Sequence, residues 1–163
     1  MLLALLSGCS SMEPLQTVPN VDLERFMGDW YVVANIPTAL EKGAHNAVES
    51  YRLNADGTVA TTFTFRSGAF DGKRKTYHPV GFVSRDNPAV WGMQFVWPIK
   101  ADYRIVYLDA DYRVTMIGRN KRDYLWIMAR TPQISDERYR SLLAFAVTLG
   151  YDPARIQKVP QQW

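Results

Sequence analysis

The chain has 163 residues, a formal net charge of +3 and 47% hydrophobic content. That length is one ordinary domain, and a domain of this size buries roughly two-thirds of its unfolded surface without a covalent staple. The single cysteine excludes an intrachain disulfide, and so small a positive charge with no matching motif gives no ground for a nucleic-acid partner. Twenty-one aromatic residues (five Trp, nine Tyr, seven Phe) favour either a dense β core or an apolar cavity.

At the N-terminus, Leu6-Ser7-Gly8-Cys9 sets the cysteine directly behind a short apolar run. Residues 1–6 are too few to span a bilayer and read as the end of a secretory apolar region with its small-residue processing site. The pattern resembles the lipobox of bacterial lipoproteins, although no basic segment precedes it. The resemblance implies cleavage before Cys9 and its acylation, with palmitate among the chains expected. On this reading residues 1–8 are a signal-peptide remnant, 9–20 a lipidated, flexible, proline-containing tether, and 21–163 the folded domain. Three acyl chains on one cysteine would hold a membrane firmly where one would not. Ser10 resembles the default outer-membrane address, so the expected location is the outer membrane, lipid-anchored and facing the periplasm.

Alternation of apolar and polar residues dominates from Gly28 to Arg130, interrupted by turn residues every eight to twelve positions. Strands are expected near 29–37, 46–53, 58–66, 75–84, 90–97, 102–109, 112–119 and 123–130. Asn54-Ala55-Asp56-Gly57, Asp86-Asn87-Pro88 and Asp109-Ala110-Asp111 suit tight connections. Eight sequential strands with short links predict an all-β, antiparallel up-and-down barrel, which leaves no open sheet edge. One α-helix follows, capped by Ser135, with Asp136 and Glu137 in its first turn. Its apolar stripe of Tyr139, Leu142, Leu143, Ala146 and Leu149 would pack on the outside of the barrel, and Gly150 with Pro153 would stop it. A short ninth strand is expected around 155–159.

Three elements spread over this barrel resemble the lipocalin family, and within it the bacterial outer-membrane lipoprotein lipocalins. Gly28-Asp29-Trp30 looks like the family's G-x-W opening. Leu108-Asp109-Ala110-Asp111-Tyr112, between the sixth and seventh barrel strands, looks like its D-x-x-Y element. Arg130 looks like its closing basic residue, and Arg130-Thr131-Pro132-Gln133-Ile134-Ser135 continues the bacterial pattern. The resemblance covers about 20–160. It implies that Gly28, Trp30, Asp109, Tyr112 and Arg130 are structural, with the Arg130 guanidinium over the Trp30 ring at the closed end. A cation on an indole face contributes roughly 0.5–2 kcal/mol.

Catalysis is not expected. His45 lies in the first inter-strand loop and His78 in the fourth strand, and neither has a patterned partner. No metal-ligand spacing is present, so neither metal nor cofactor is expected.

The functional site is instead expected inside the barrel. Anchored on the family elements, strand alternation turns Tyr51 inward on the second strand and Val59, Thr61, Phe63 and Phe65 on the third. Tyr77, Pro79, Gly81 and Val83 follow on the fourth, then Trp91, Met93, Phe95 and Trp97 on the fifth. Tyr103, Ile105 and Tyr107 serve the sixth, Val114, Met116 and Gly118 the seventh, and Tyr124, Trp126 and Met128 the eighth. Gly81 and Gly118 among so many aromatics favour an open pocket over a filled barrel. Glu49 shares the parity of Tyr51: either Arg66 or Arg104 answers an inward carboxylate, or a bulge turns it out. The loops assigned to the mouth hold Lys42, Lys73, Arg74, Lys75, Lys100, Lys121 and Arg122, with Arg119 at the edge, against Glu41, Asp71, Asp102 and Asp123. A net basic rim would suit a fatty acid or lysophospholipid, tail inward and head at Lys73, Arg74, Lys75, Arg119, Lys121 and Arg122. A structural envelope lipoprotein with a filled barrel is the competing reading, and a homodimer is left open.

Overall fold

The computed structural model describes residues 12–163. The lipobox, Cys9 and the start of the tether lie outside the described residues. The chain runs through α1 (Leu23–Phe26), β1 (Gly28–Ile36), β2 (Ala44–Leu53), β3 (Val59–Ser67), β4 (Arg74–Tyr77) and β5 (Val80–Val83). Then come β6 (Val90–Val96), β7 (Ile99–Leu108), β8 (Val114–Gly118), β9 (Leu125–Ala129), α2 (Asp136–Thr148) and β10 (Gln157–Lys158). Each strand pairs antiparallel with its neighbour, and β1 returns to pair with β9, which closes the barrel.

The fourth barrel strand is two pieces, β4 and β5, both on β3. Pro79 has no N–H to give the ladder, so pairing lapses at His78-Pro79 while the Pro79 carbonyl still accepts from Thr61 N at 3.1 Å. Counting that pair as one, the closed barrel has the eight strands expected. Helix α1 is one turn capped by the Asp22 carboxylate (3.2 Å to Arg25 N); four residues are too few for a periodic pattern to announce. Helix α2 begins at the expected cap, with Ser135 Oγ accepting from Arg138 N at 3.1 Å. It seats Leu142 and Ala146 against the outer faces of the strands, and Gly150 follows at φ +93°. The ninth strand is β10, which adds to β1 outside the barrel. Among the described residues no helix is long and apolar enough to cross a membrane.

The ladders carry four register shifts, and two of them overturn simple alternation on β7, β8 and β1. On β7, Ile105 lies opposite Ile117 but Tyr107 lies opposite Met116, so one extra residue is inserted at Val106. Val106 and Tyr107 therefore both point out, and the parity of β8 is reversed relative to simple alternation. Val114 and Met116 belong to the apolar layer beneath α2, and Ile117 faces the interior. The expectation that Met116, with Val114, Gly118 and Tyr107, lines the barrel is overturned. Gly118 faces outward too: a Cβ there would meet Tyr151 Oη at 2.8 Å and Leu15 Cδ1 at 2.9 Å. A second bulge, between Val32 and Ala34, turns Val33 and Ala34 out together.

The closed end gathers the three family-like elements. Arg130 lies 3.7 Å from the centroid of the Trp30 ring, and Trp30 is fully buried. Its guanidinium donates to the carbonyls of Asp29 (2.9 Å), Arg25 (2.8 Å), Phe26 (3.2 Å) and Tyr112 (3.2 Å). Asp109 Oδ1 accepts from Arg113 N and Val114 N and so shapes the turn, while Tyr112 Oη accepts from Asp22 N at 2.8 Å. Gly28 sits at φ +93°, where a side chain would be strained and would crowd Arg130 Nη1 at 3.3 Å. These residues lock α1 across the barrel bottom.

Candidate functional site

The closed half of the interior is plugged. Trp91 and Tyr103 stack at 4.7 Å, Phe26 packs on Trp30 at 5.1 Å, and Tyr51 sits 5.7 Å from Phe26. The hydroxyls of Tyr51 and Tyr103 share a 2.9 Å hydrogen bond. Gly81 makes the plug possible, because its missing Cβ would stand 3.1 Å from the Trp91 ring.

Above the plug the barrel is hollow. The cavity is about 240 Å³, floored by Tyr51 and Tyr103 and walled by Phe63, Met93, Ile117, Trp126 and Met128. Thr38, Leu40, Phe95 and Ala101 line it toward the open end. An apolar cavity of about 150 Å³ takes one benzene-sized guest, so this one suits a single hydrocarbon chain.

Of the residues expected to line a pocket, Tyr51, Phe63, Pro79, Met93, Phe95, Tyr103, Trp126 and Met128 do so. Val59, Trp91 and Ile105 are inside the barrel but off the cavity, at its closed end. Phe65 is buried farther toward the open end of β3, with its ring 5.2 Å from Phe63 and 6.2 Å from the half-buried Tyr77. Met116 lies outside, as described. Tyr124 also misses the cavity: it precedes β9 and packs against the outer apolar layer. Trp97 sits at the tip of the β6–β7 hairpin, 82% exposed, because the pairing register shifts between Met93 and Val96.

The basic rim is largely elsewhere. Lys73, Arg74, Lys75, Lys121 and Arg122 do not line the cavity. Arg122 is a structural clasp, donating to the carbonyls of Leu149 (3.1 Å), Glu13 (2.7 Å) and Asn120 (2.7 Å). Lys75 leans over the Phe65 ring at 5.9 Å. Arg119 alone of the six reaches the cavity wall. Its Nε is 3.3 Å from Asp123 Oδ1, at an angle too poor for a hydrogen bond.

Carboxyls stand in the wall instead. Glu49 points inward, as the parity of Tyr51 requires, yet neither arginine answers it. Arg104 is held by Asp102 at 2.9 Å, and Arg66 reaches only the Gly72 carbonyl at 3.4 Å. Glu49 Oε2 is buried with no hydrogen-bond partner among the described residues. Burial pushes its carboxyl from 4.5 up to about 8, with the nearby Glu41 charge adding and the Tyr51 hydroxyl opposing. Glu41 was counted at sequence level as a rim charge, but it is 4% exposed and lines the cavity. Its Oε1 accepts from Trp126 Nε1 (2.8 Å), Thr38 N (3.1 Å) and Asn35 Nδ2 (3.3 Å). Burial outweighs these three donors and raises it to about 7. No local signal in the sequence separates Glu41 from an ordinary loop acid; Trp126, 85 residues away, makes it a wall residue.

The two histidines stay apart from the cavity. His45 Nδ1 lies 3.0 Å from the Gly43 carbonyl, and His78 Nδ1 lies 3.4 Å from Thr62 Oγ1 at the surface. Among the described residues no three His, Cys, Asp or Glu are placed to share a metal ion.

Residues 21–161 match the family described as lipocalin-like domain. The chain belongs to the lipocalin family. Temperature-induced lipocalin-1 of Arabidopsis thaliana is 32% identical over 154 residues, 90% of this chain and 83% of that protein. Outer membrane lipoprotein Blc of Escherichia coli K12 is 31% identical over 164 residues, 96% of this chain and 90% of that protein. The crystal structure of the cockroach allergen Per a 4 superposes with a TM-score of 0.69 at 15% identity, covering 93% of this chain and 96% of that one. Lipocalins are barrels of a size that holds one small ligand. In this lipocalin the hollow above the aromatic plug is the space of that kind.

Proposed function

We propose that this lipocalin is a membrane-tethered carrier for a single-chain amphiphile, a fatty acid or a lysophospholipid, serving lipid storage, transport or membrane maintenance in the cell envelope. The cavity carries the reading: an apolar hollow of about 240 Å³ open at one end. A single-chain lipid of about twenty heavy atoms at roughly −0.3 kcal/mol each comes to about −6 kcal/mol, a dissociation constant of tens of micromolar. Binding of that strength is releasable. The rest of a long chain would lie along Leu40 and Phe95 at the mouth.

The envelope role draws on the name of the relatives, outer membrane lipoprotein, together with Leu6-Ser7-Gly8-Cys9. The path of the first described residues supports a definite geometry. Leu15 N donates to Asn120 Oδ1 at 2.9 Å, and Glu13 is clasped by Arg122, so the chain leaves the barrel beside the β8–β9 loop at the mouth. Four residues reach ~14 Å at most, so an acylated Cys9 would hold the mouth close to the bilayer. The β6–β7 hairpin at the same end exposes Val96 (68%), Trp97 (82%) and Ile99 (70%). Apolar patches of this kind meet lipid or protein surfaces, and here the surface is the bilayer that receives the hydrocarbon.

The filled-barrel reading draws on the aromatic plug, which occupies half the interior. Displacement of a bound fluorophore by a long-chain fatty acid and by lysophosphatidyl lipids separates the two. Displacement at tens of micromolar by at least one of these lipids is expected; none by any of them leaves the structural reading standing.

A further inference from the structure

The charges that face the cavity are the reverse of those expected at its rim. Glu49 and Glu41 both line it, and Glu49 Oε2 is buried without a hydrogen-bond partner among the described residues. All three donors to Glu41 Oε1 are neutral N–H groups: an indole, a backbone amide and a carboxamide. The other ionisable groups on this wall are already engaged. Asp102 is taken by Arg104 (2.9 Å) and by Asn120 N (2.7 Å). Arg119 lies against Asp123 and 5.2 Å from the Tyr124 ring. The phenols of Tyr51 and Tyr103 bond to each other. Among the described residues neither glutamate has a cation paired with it.

A carboxylate in an apolar cavity with no countercharge is costly. The same cavity presents the rings of Phe63, Phe95 and Trp126, and aromatic faces attract cations, most strongly where water is excluded. The one arginine on this wall, Arg119, is ion-paired with Asp123 at 3.3 Å, so two unpaired acids beside aromatic faces form a receptor for positive charge. A fatty-acid carboxylate drawn into that space would meet two acids of its own kind. It could stay only if it or the glutamates held protons.

We propose that the ligand of this cavity carries a positively charged nitrogen, an ammonium or quaternary ammonium group on a single hydrocarbon chain, seated against Glu49 and Glu41. This rests on the carrier reading of the same cavity and narrows it. Single-chain lipids whose head ends in an amine or a choline-like group fit; free fatty acids do not.

The arrangement carries a pH signature. Burial holds Glu41 near 7 and Glu49 near 8 while the cavity has no cation. A bound cation favours the ionised form of both and so draws both values down. Binding then releases protons at neutral pH, and affinity rises with pH until it levels off above about 8.

Three probes of equal chain length separate charge from hydrocarbon: dodecyltrimethylammonium and dodecanoate below their micelle concentrations, and dodecanol below its solubility limit. They compete against a neutral fluorophore at pH 6 and pH 8.5 on the described domain in its full chain. At pH 8.5 the ammonium should displace at a concentration on the order of tenfold below dodecanoate, the equivalent of one pH unit of displaced titration. Dodecanol should fall between them, and the ammonium's advantage should shrink at pH 6. In E49Q, and further in E41Q/E49Q, the ratio of ammonium to alcohol affinity should approach one. Calorimetry of the unmodified protein in two buffers of different ionisation enthalpy should show proton release with the ammonium, a readout that needs no variant to fold. Dodecanoate matching or beating the ammonium, an advantage that persists in E41Q/E49Q, or no proton release overturns the proposal. Displacement by dodecanol without an ammonium advantage sinks this proposal alone; no displacement by any probe sinks the carrier reading with it.

Discussion

Ile117 faces the cavity while Met116, the residue before it, is fully buried on the opposite side of the sheet beneath α2. The bulge at Val106 produces that assignment, and it separates two variants. Met116→Ala should cost ~2–4 kcal/mol in urea unfolding and leave fluorophore affinity unchanged, since the void opens in the outer layer. Ile117→Ala should cost a similar amount and alter displacement by single-chain ligands. Equal effects of both variants on binding would contradict the reversed parity of β8.

Arg130 combines a contact on the Trp30 face with donors to four carbonyls drawn from α1, β1 and the β7–β8 turn. Arg130→Met keeps much of the apolar stem and removes every donor. A loss of ~2–4 kcal/mol is expected, above a simple cation–π contact, because carbonyls at the barrel bottom lose their partner. Arg130→Lys should recover only part of it, since an ammonium cannot reach four acceptors in a fork. The check is chemical denaturation of both variants; full recovery by lysine would refute the carbonyl-clamp account.

The two cavity acids predict an unusual pH dependence of stability. Both folded values lie above the ordinary 4.5, near 7 for Glu41 and near 8 for Glu49. Between pH 4.5 and 8 the folded state therefore holds more protons than the unfolded chain. Stability from these groups is fully present below about 4.5 and is lost as pH rises through 7 and then 8. The denaturation midpoint of the ligand-free protein should fall from pH 5 to pH 9 by the equivalent of a few kcal/mol. E49Q should flatten most of that slope. A midpoint that rises over this range would show that the acids are ionised and paired.

The architecture was legible because its signals are local. Alternation in each strand, Asp and Asn at the turns, Ser135 before α2 and Gly150 after it all act within a few residues. The interior was less legible because one inserted residue reverses a strand. Nothing in Arg104-Ile105-Val106-Tyr107 marks Val106 as the bulge, and with it went the orientation of Met116. Pro79 did carry a readable signal, a missing N–H in a central strand, and the split into β4 and β5 follows from it. Glu49 was placed by parity, but it is buried without a hydrogen-bond partner for Oε2 among the described residues, which raises its carboxyl to about 8 and which neither arginine pairing anticipated. Glu41 owes its site to Trp126 across the barrel, a distance in sequence that no pattern spans.

The exposed hairpin offers a test of the mouth's orientation. Replacing Trp97 and Ile99 together by serine removes two large apolar side chains that are 82% and 70% exposed. Cavity affinity should stay the same, while the rate of ligand transfer to lipid vesicles from a membrane-anchored preparation should drop severalfold. Transfer unchanged in the double variant would detach the hairpin from the carrier role.

Trp126→Phe isolates one hydrogen bond. The indole N–H donates to Glu41 Oε1 at 2.8 Å and so favours the ionised carboxyl, partly offsetting the burial that raises it to about 7. Phenylalanine keeps an aromatic wall but removes that donor, leaving Thr38 N and Asn35 Nδ2. A hydrogen bond to a charged group contributes roughly 1.5–3 kcal/mol, and one pH unit corresponds to 1.36, so Glu41 should titrate about one unit higher. The loss falls chiefly on the ionised form, whose hydrogen bond is the stronger. Unfolding free energy should therefore change little at pH 6 and drop at pH 9, and carbon NMR of the glutamate side chains should follow the displaced titration directly. A Glu41 titration that stays in place, or moves down, would mean that the indole does not hold the carboxylate.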